Sequence, residues 1–128
     1  MDNVSHGTLQ AATVIAKTTQ TIIGQEIACA HYDFLTLFME YVNGDETGVI
    51  IQAHLMDTAG GTAHQDVSWT GSAGSKTPTA NQYVLTASGN HYITFDIRSV
   101  EFLKFTQGGS DNDGTPTGTL AASFTMVG

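Results

Sequence analysis

Apolar and polar residues alternate with a period of two along most of this chain, a pattern typical of β-strands. The clearest segment runs from Phe34 to Val42, and one face of it is formed by Leu35, Leu37, Met39 and Tyr41. The other face is also partly apolar. We therefore expect a central strand that is covered on both sides along part of its length.

Similar alternation predicts further strands, and turn residues separate them. The segments are residues 8–17, 19–27, 49–56, 64–70, 82–87, 91–97, 100–106 and 118–127. Eight or nine short strands spaced in this way predict an all-β fold, an antiparallel β-sandwich of jelly-roll-like form or a small barrel. The 128 residues fit a single β-sandwich domain over residues 8–128, preceded by a flexible N-terminal arm over residues 1–7.

Turn residues predict how neighbouring strands pair. Asn43-Gly44 predicts a hairpin between residues 34–42 and 49–56, with a longer loop than a two-residue turn. Ser88-Gly89-Asn90 predicts a second hairpin between residues 82–87 and 91–97. Residues 71–80 are nearly all turn formers and predict a loop. Gly108 to Gly118 predicts a long exposed connection, which is a candidate for contact with a neighbouring molecule.

The charge balance narrows the classes of partner. Twelve acidic residues face four basic ones, so the chain cannot neutralise many phosphates and nucleic acid is disfavoured as a partner. No signal peptide and no apolar run long enough for a membrane helix is expected from residues 1–128. Only 12% of the residues are charged, against about 25% in a typical domain. This low-charge surface, acidic overall, favours a part of an assembly with a basic partner surface.

Metal sites are weakly supported. The five histidines (His6, His31, His54, His64 and His91) lack ligand spacing, although His54 and His64 could meet across the 57–62 loop as a zinc or nickel site. Asp111-Asn112-Asp113-Gly114 resembles the start of a calcium loop, but Ala122 stands where the bidentate Glu is needed. We therefore assign no metal-binding residue and no cofactor.

The segments that resemble catalytic motifs each lack a part that the chemistry requires. Residues 70–74 resemble a nucleophile elbow around Ser72, but no helix is expected to follow them. Asp45-Glu46 is the one adjacent acidic pair, and its place in a turn predicts solvated charges. Cys29 lies between alanines and is expected to be a small buried hydrophobic residue. No catalytic or cofactor-binding residue is assigned, and the chain is predicted not to be an enzyme.

Exposed aromatic residues are candidates for partner contact. Trp69 lies on a short polar segment next to a flexible loop, so we expect it to be exposed. Together with Tyr32, Tyr41, Tyr83 and Tyr92 it could also form a sugar-stacking platform. For most of these tyrosines, packing in the core or on a sheet is the simpler interpretation.

Three segments, residues 33–56, 83–109 and 114–127, share a layout with a known group of proteins. The shared features are a strand leading into Gly44-Asp45-Glu46, a hairpin with Tyr83, Leu85, Thr86 and Gly89, and a final strand with Gly118, Thr119, Leu120 and Phe124. In this layout the chain resembles the small β-sandwich decoration, or cement, proteins of tailed bacteriophages. The resemblance covers residues 8–128 and transfers no individual site residue.

The resemblance implies a non-enzymatic virion protein, made in the host cytoplasm, that binds the outer surface of a capsid and bridges subunits of the major capsid protein. It also implies a homo-oligomer, with a trimer favoured, and contact through the N-terminal arm. Strand-edge addition by the segment around Thr8 to Lys17 is one route to such contact. A neck, tail or fibre-associated structural domain and a carbohydrate-binding β-sandwich module remain as alternatives.

Overall fold

The computed structural model of the chain describes residues 3–17, 19–110 and 115–128, and all regular structure within these ranges is β. No helix that could span a membrane is found among these residues. The twelve strands are β1 (Val4–Val14), β2 (Thr21–Ile22), β3 (Ile27–Ala28), β4 (Phe34–Val42), β5 (Val49–Met56), β6 (His64–Gln65), β7 (Val67–Thr70), β8 (Thr77–Ala80), β9 (Gln82–Leu85), β10 (Gly89–Asp96), β11 (Phe102–Gly109) and β12 (Thr119–Val127).

The strands form two main antiparallel sheets. Sheet A has the order β1-β12-β4-β10, and sheet B has the order β2-β11-β5-β6, with β3 also paired to β11 and β9 also paired to β5. Strands β7 and β8 form a separate two-stranded hairpin. The chain crosses repeatedly between the two sheets, which is the jelly-roll arrangement. The predicted all-β antiparallel sandwich of jelly-roll type is therefore confirmed, although the described residues form twelve strands rather than eight or nine.

One hydrophobic core fills the space between the sheets. The inward faces of β4 and β5 supply fully buried side chains such as Leu37 and Ile51, as the period-two pattern predicts. The ring of Phe95 on sheet A lies 5.3 Å from that of Phe105 and 5.6 Å from that of Tyr83, both on sheet B. These aromatic contacts join the two sheets face to face.

The prediction that two pairs of consecutive strands form hairpins is wrong. Strand β4 pairs with β12 and β10 in sheet A, whereas β5 pairs with β11, β6 and β9 in sheet B. Likewise, β9 and β10 belong to different sheets. The turn residues do separate the strands, but each connection carries the chain from one sheet to the other. Tyr83 and Leu85 therefore lie in the same core as Ile93 and Phe95 from the opposite sheet, as expected of their inward faces, while Ala87 is exposed.

The predicted loop over residues 71–80 also differs from the structure. Thr77–Ala80 forms β8, which pairs with β7 so that Pro78 lies opposite Trp69. A proline is tolerated here because β8 has a neighbour on one side only. The turn itself is confined to the residues between Thr70 and Thr77.

The N-terminal segment is part of sheet A rather than an arm from Val4 onward. Val4 pairs with Val127 and Gly7 with Phe124, so this part of β1 is held by β12. One edge of strand β1 (Val4–Val14) is therefore already hydrogen-bonded to β12, and strand addition there could use only the other edge. Met1 and Asp2 of the predicted arm lie outside the described residues.

Candidate interaction face

The outer face of sheet A, turned away from the core, is the principal candidate site. Pairing register places its side chains in rows across the sheet. The successive rows are Val4, Val127, Phe34 and Asp96; then His6, Thr125, Thr36 and Thr94; then Thr8, Ser123, Phe38 and Tyr92; then Ala121, Glu40 and Asn90; and finally Thr119 and Val42. We call this set the outer face.

Large apolar side chains on the outer face are exposed. Phe38 is 43% exposed and its neighbour Tyr92 is 70% exposed, with their ring centroids 6.5 Å apart. Phe34 and Val42 are also exposed. The prediction that the Phe34–Val42 strand is central is correct, but the prediction that it is covered on both sides is wrong for the isolated chain. An exposed patch of this kind on one sheet face is typical of an interaction site.

A shallow groove of about 370 Å³ lies on the outer face beside Phe38. It forms where small side chains of β12, Ala121 and Ser123, lie between the larger Phe38 and the residues of β1, including Gln10. The small residues leave space above the sheet that a partner side chain can fill. The outer face is therefore a ridge of aromatic rings next to a groove.

Charge on the outer face is sparse. The Asp96 carboxylate accepts hydrogen bonds from the Arg98 side chain and amide, which lower the Asp96 pKa to about 2. The Arg98 guanidinium also lies 5.6 Å from the centre of the Phe34 ring. Glu40 lies further along β4. Most of the face is thus apolar or hydroxyl-bearing, as in the hydrogen-bonded pair Thr36 and Thr94, whose hydroxyl oxygens are 2.9 Å apart.

Glu46, predicted to be a solvated turn residue, is instead buried, with 4% of its surface exposed. Its carboxylate accepts hydrogen bonds from the Tyr41 hydroxyl at 2.5 Å, the Gly44 amide at 2.8 Å, the Thr117 amide at 3.2 Å and the Gly118 amide at 2.8 Å. Burial acts to raise the Glu46 pKa. The bonds from Gly44, Tyr41 and Gly118 outweigh it and lower the pKa to about 2.

This carboxylate joins the turn after β4 to the segment before β12. A side chain at position 118 would collide with the Glu46 carboxylate, so only glycine permits the approach. The long connection predicted to be exposed from Gly108 to Gly118 is in fact buried at Gly108, Gly109, Pro116 and Gly118. The segment considered as the start of a calcium loop, Asp111 to Gly114, lies outside the described residues. Glu46 thus has a structural role, which turn chemistry alone did not indicate.

Most of the histidines considered as metal ligands, and Cys29, lie apart from the outer face; the exceptions are His6, which belongs to it, and His91, which lines its groove. His54 pairs with Gln65 and His64 with Leu55, so the His54 and His64 side chains project from opposite faces of sheet B. Among the described residues, no group of three or more His, Cys, Asp or Glu could hold a metal ion. Cys29 is fully buried, as predicted, and burial raises its pKa to about 11.

The aromatic residues considered for a sugar platform do not share one surface. Trp69 is 61% exposed, as predicted, on the separate β7–β8 hairpin. Tyr41 lies in the core, and Tyr32 and Tyr83 pack against it. Of these tyrosines, Tyr92 is the exposed one, and it contacts Phe38 at an interplanar angle of 42°. A flat platform built from the whole set is therefore not formed.

Comparison with known proteins is informative for the fold. No protein-family model matches the chain, and no curated protein matches it in sequence. The crystal structure of the SPBc2 prophage-derived protein YomS is similar, with a TM-score of 0.57 and 20% identity over 100% of this chain and 96% of that one. A chain in the structure of infectious bursal disease virus, Gx strain, has a TM-score of 0.53 and 12% identity over 98% of this chain and 32% of that one.

A chain of the T13 particle of the same virus gives a TM-score of 0.50 and 10% identity over 98% of this chain and 31% of that one. The present chain thus spans about a third of each of these two viral chains. At these identities the similarity establishes a shared fold. That fold, a jelly-roll β-sandwich, is shared with chains of these viral particles and with a prophage-derived protein.

Proposed function

We propose that this chain is a non-enzymatic virion structural protein of the decoration type. It binds the outer surface of a capsid through the outer face of sheet A and bridges neighbouring coat subunits. The observation that carries the proposal is the exposed aromatic pair Phe38 and Tyr92 on a sheet face with few charges. Its jelly-roll fold, shared with chains of viral particles, supports the same role.

The outer face is energetically suited to association. Covering the exposed parts of Phe38 and Tyr92 would remove roughly 200 Å² of mostly apolar surface from water, worth about 5 kcal/mol before the costs of association. Threonine and serine hydroxyls around the pair have lower desolvation costs than charges. The net charge of −8 suits a basic patch on the coat protein.

A variant carrying both Phe38→Ser and Tyr92→Ser tests the proposal. Particles produced in the presence of the variant are purified, and the ratio of this chain to the major capsid protein is measured. We expect occupancy to fall at least about 10-fold, since truncating an aromatic hot spot at the centre of an interface costs about 2 kcal/mol or more. Val84→Ser is the matched control because Val84 is 49% exposed on sheet B.

Undiminished occupancy of the double variant would refute the proposed contact face. A copy number of only a few per particle would instead favour a neck, tail or fibre role. Binding of the free chain on a glycan array that is lost on Trp69→Ala would favour the carbohydrate-binding alternative. Size-exclusion chromatography tests the homotrimer that the resemblance to decoration proteins implies.

A further inference from the structure

Strand β10 forms an open edge of sheet A. It pairs with β4 over all eight of its residues without a register shift, and it has no second partner among the described strands. The opposite edge, β1, has two register shifts, and the outer strands of sheet B are two to four residues long. Natural sheets protect their edges with bulges, short strands, proline or lysine. Strand β10 has none of these features.

The backbone groups that face this open edge can be identified. The Ile97 amide donates to the Asp33 carbonyl at 2.9 Å, which places the odd-numbered residues of this strand toward β4. In an antiparallel ladder the bonding direction alternates along the strand. The amide and carbonyl groups of Asn90, Tyr92, Thr94 and Asp96 therefore point away from β4, and the side chains of these residues are exposed.

A hollow of about 230 Å³ lies beside the same edge, between the two sheets. Its lining is largely apolar and includes Leu55 and Leu103 from sheet B, Phe95 from β10, and Val100 from the following turn. Two acidic residues, Asp66 and Asp96, also line the hollow, and Asp66 Oδ2 accepts a hydrogen bond from the Asn81 side-chain amide at 3.1 Å. A strand added to β10 would direct alternate side chains toward this space, since side chains of a strand alternate between faces.

We propose that the β10 edge binds an extended segment of a partner protein by strand addition. The segment carries apolar residues at alternate positions, one of which enters the hollow, and at least one lysine or arginine. Main-chain bonds to Tyr92 and Thr94 supply affinity, and the hollow supplies specificity.

Charge favours a foreign segment over a second copy of this chain. Each copy carries a net charge of −8 with only four basic residues, so two copies repel each other. A second copy's β10 would also keep Ile93 and Phe95 in its own core, leaving the hollow unfilled. A basic segment is attracted both by the net charge and by Asp66. The inference stands without the proposed virion role, because it concerns the free chain.

The probe is an array of synthetic peptides, each eight residues long like β10. Valine, leucine or phenylalanine alternates with threonine, and one threonine is replaced by lysine. We expect the protein to bind members of this set more tightly than scrambled versions. Bound peptide should slow hydrogen exchange of the Tyr92 and Thr94 amides by at least about 10-fold, because these amides become hydrogen-bonded.

Thr94→Pro removes an edge amide that does not bond β4, and an edge strand tolerates proline at such a position. We expect peptide binding to weaken roughly 10-fold or more. Thr94→Val is the matched control, since both variants lose the hydroxyl contact with Thr36 but valine keeps the amide. Val100→Phe, which fills the hollow, is expected to weaken binding without changing the edge.

Three results would each overturn the proposal. They are equal peptide binding by Thr94→Pro and Thr94→Val with both variants folded, bound peptide that leaves exchange of the edge amides unchanged, and an array in which no alternating peptide binds better than its scrambled version. A loss of particle occupancy on changing the outer face would not alter any of these outcomes, so the two proposals fail separately.

Discussion

Replacing the buried Glu46 carboxylate with an amide, Glu46→Gln, should destabilise the fold strongly at neutral pH. The carboxylate accepts four hydrogen bonds, three of them from backbone amides. Glutamine keeps one acceptor oxygen but turns an NH₂ group toward amides that are themselves donors. Buried donors left without an acceptor cost about 1–3 kcal/mol each.

The lowered Glu46 pKa gives the size and the pH dependence of the carboxylate's contribution to the free energy of unfolding. A fall from 4.5 to about 2 corresponds to roughly 3 kcal/mol of folding stability supplied by the ionised carboxylate. Because the folded-state pKa is the lower one, this contribution is fully present above about pH 4.5. It is lost progressively as the pH falls from there toward 2, where the folded state also binds the proton.

Urea unfolding followed by circular dichroism at several pH values tests this reasoning. We expect Glu46→Gln to lose about 2–4 kcal/mol at pH 7 and the difference from the unmodified chain to shrink in acid. Asp45→Asn removes the same charge from the adjacent exposed position and should change stability by less than about 0.5 kcal/mol. A Glu46→Gln loss no larger than that of Asp45→Asn, or one independent of pH, would refute the structural role of Glu46.

Two further predictions concern the core and its turns. Gly24→Ala should destabilise the fold by well over about 1 kcal/mol, because Gly24 has φ +69° and an added Cβ would collide with the Leu9 carbonyl. Gly60→Ala is the control: Gly60 has φ +67° but lies in open space, so the loss in the same urea assay should be only about 1 kcal/mol. Equal losses would contradict the collision. The Cys29 thiol should react with a thiol reagent only after unfolding, because it is fully buried with its pKa raised to about 11; rapid labelling of the folded chain would contradict its burial.

Individual strands were predictable because their pattern is local. Phe34–Val42 and Val49–Met56 have the same bounds in the structure as in the sequence-based prediction. A period of two identifies both a strand and its inward face from consecutive residues alone. The burial of Cys29 and the exposure of Trp69 follow from the same kind of local context.

Strand partners were less predictable. Asn43-Gly44 correctly marks the end of a strand, but a hairpin and a crossing between sheets begin with similar turn residues. Here the buried Glu46 ties this turn to Thr117 and Gly118, more than seventy positions away in the chain. No pattern near Glu46 shows that contact, so the sequence predicts only a solvated hairpin loop at this turn.

The candidate interaction face likewise combines a local strand pattern, which is predictable, with sheet packing, which is not. The sequence is enough to show that Phe34, Phe38 and Val42 share one face of a strand, since side chains alternate along any strand. The folded arrangement of the sheets is needed to show that this face points to solvent, next to Tyr92, and that β10 forms an open edge among the described strands. The physical reason is that burial depends on which sheets pack together, and that packing is set by contacts between residues far apart in the chain.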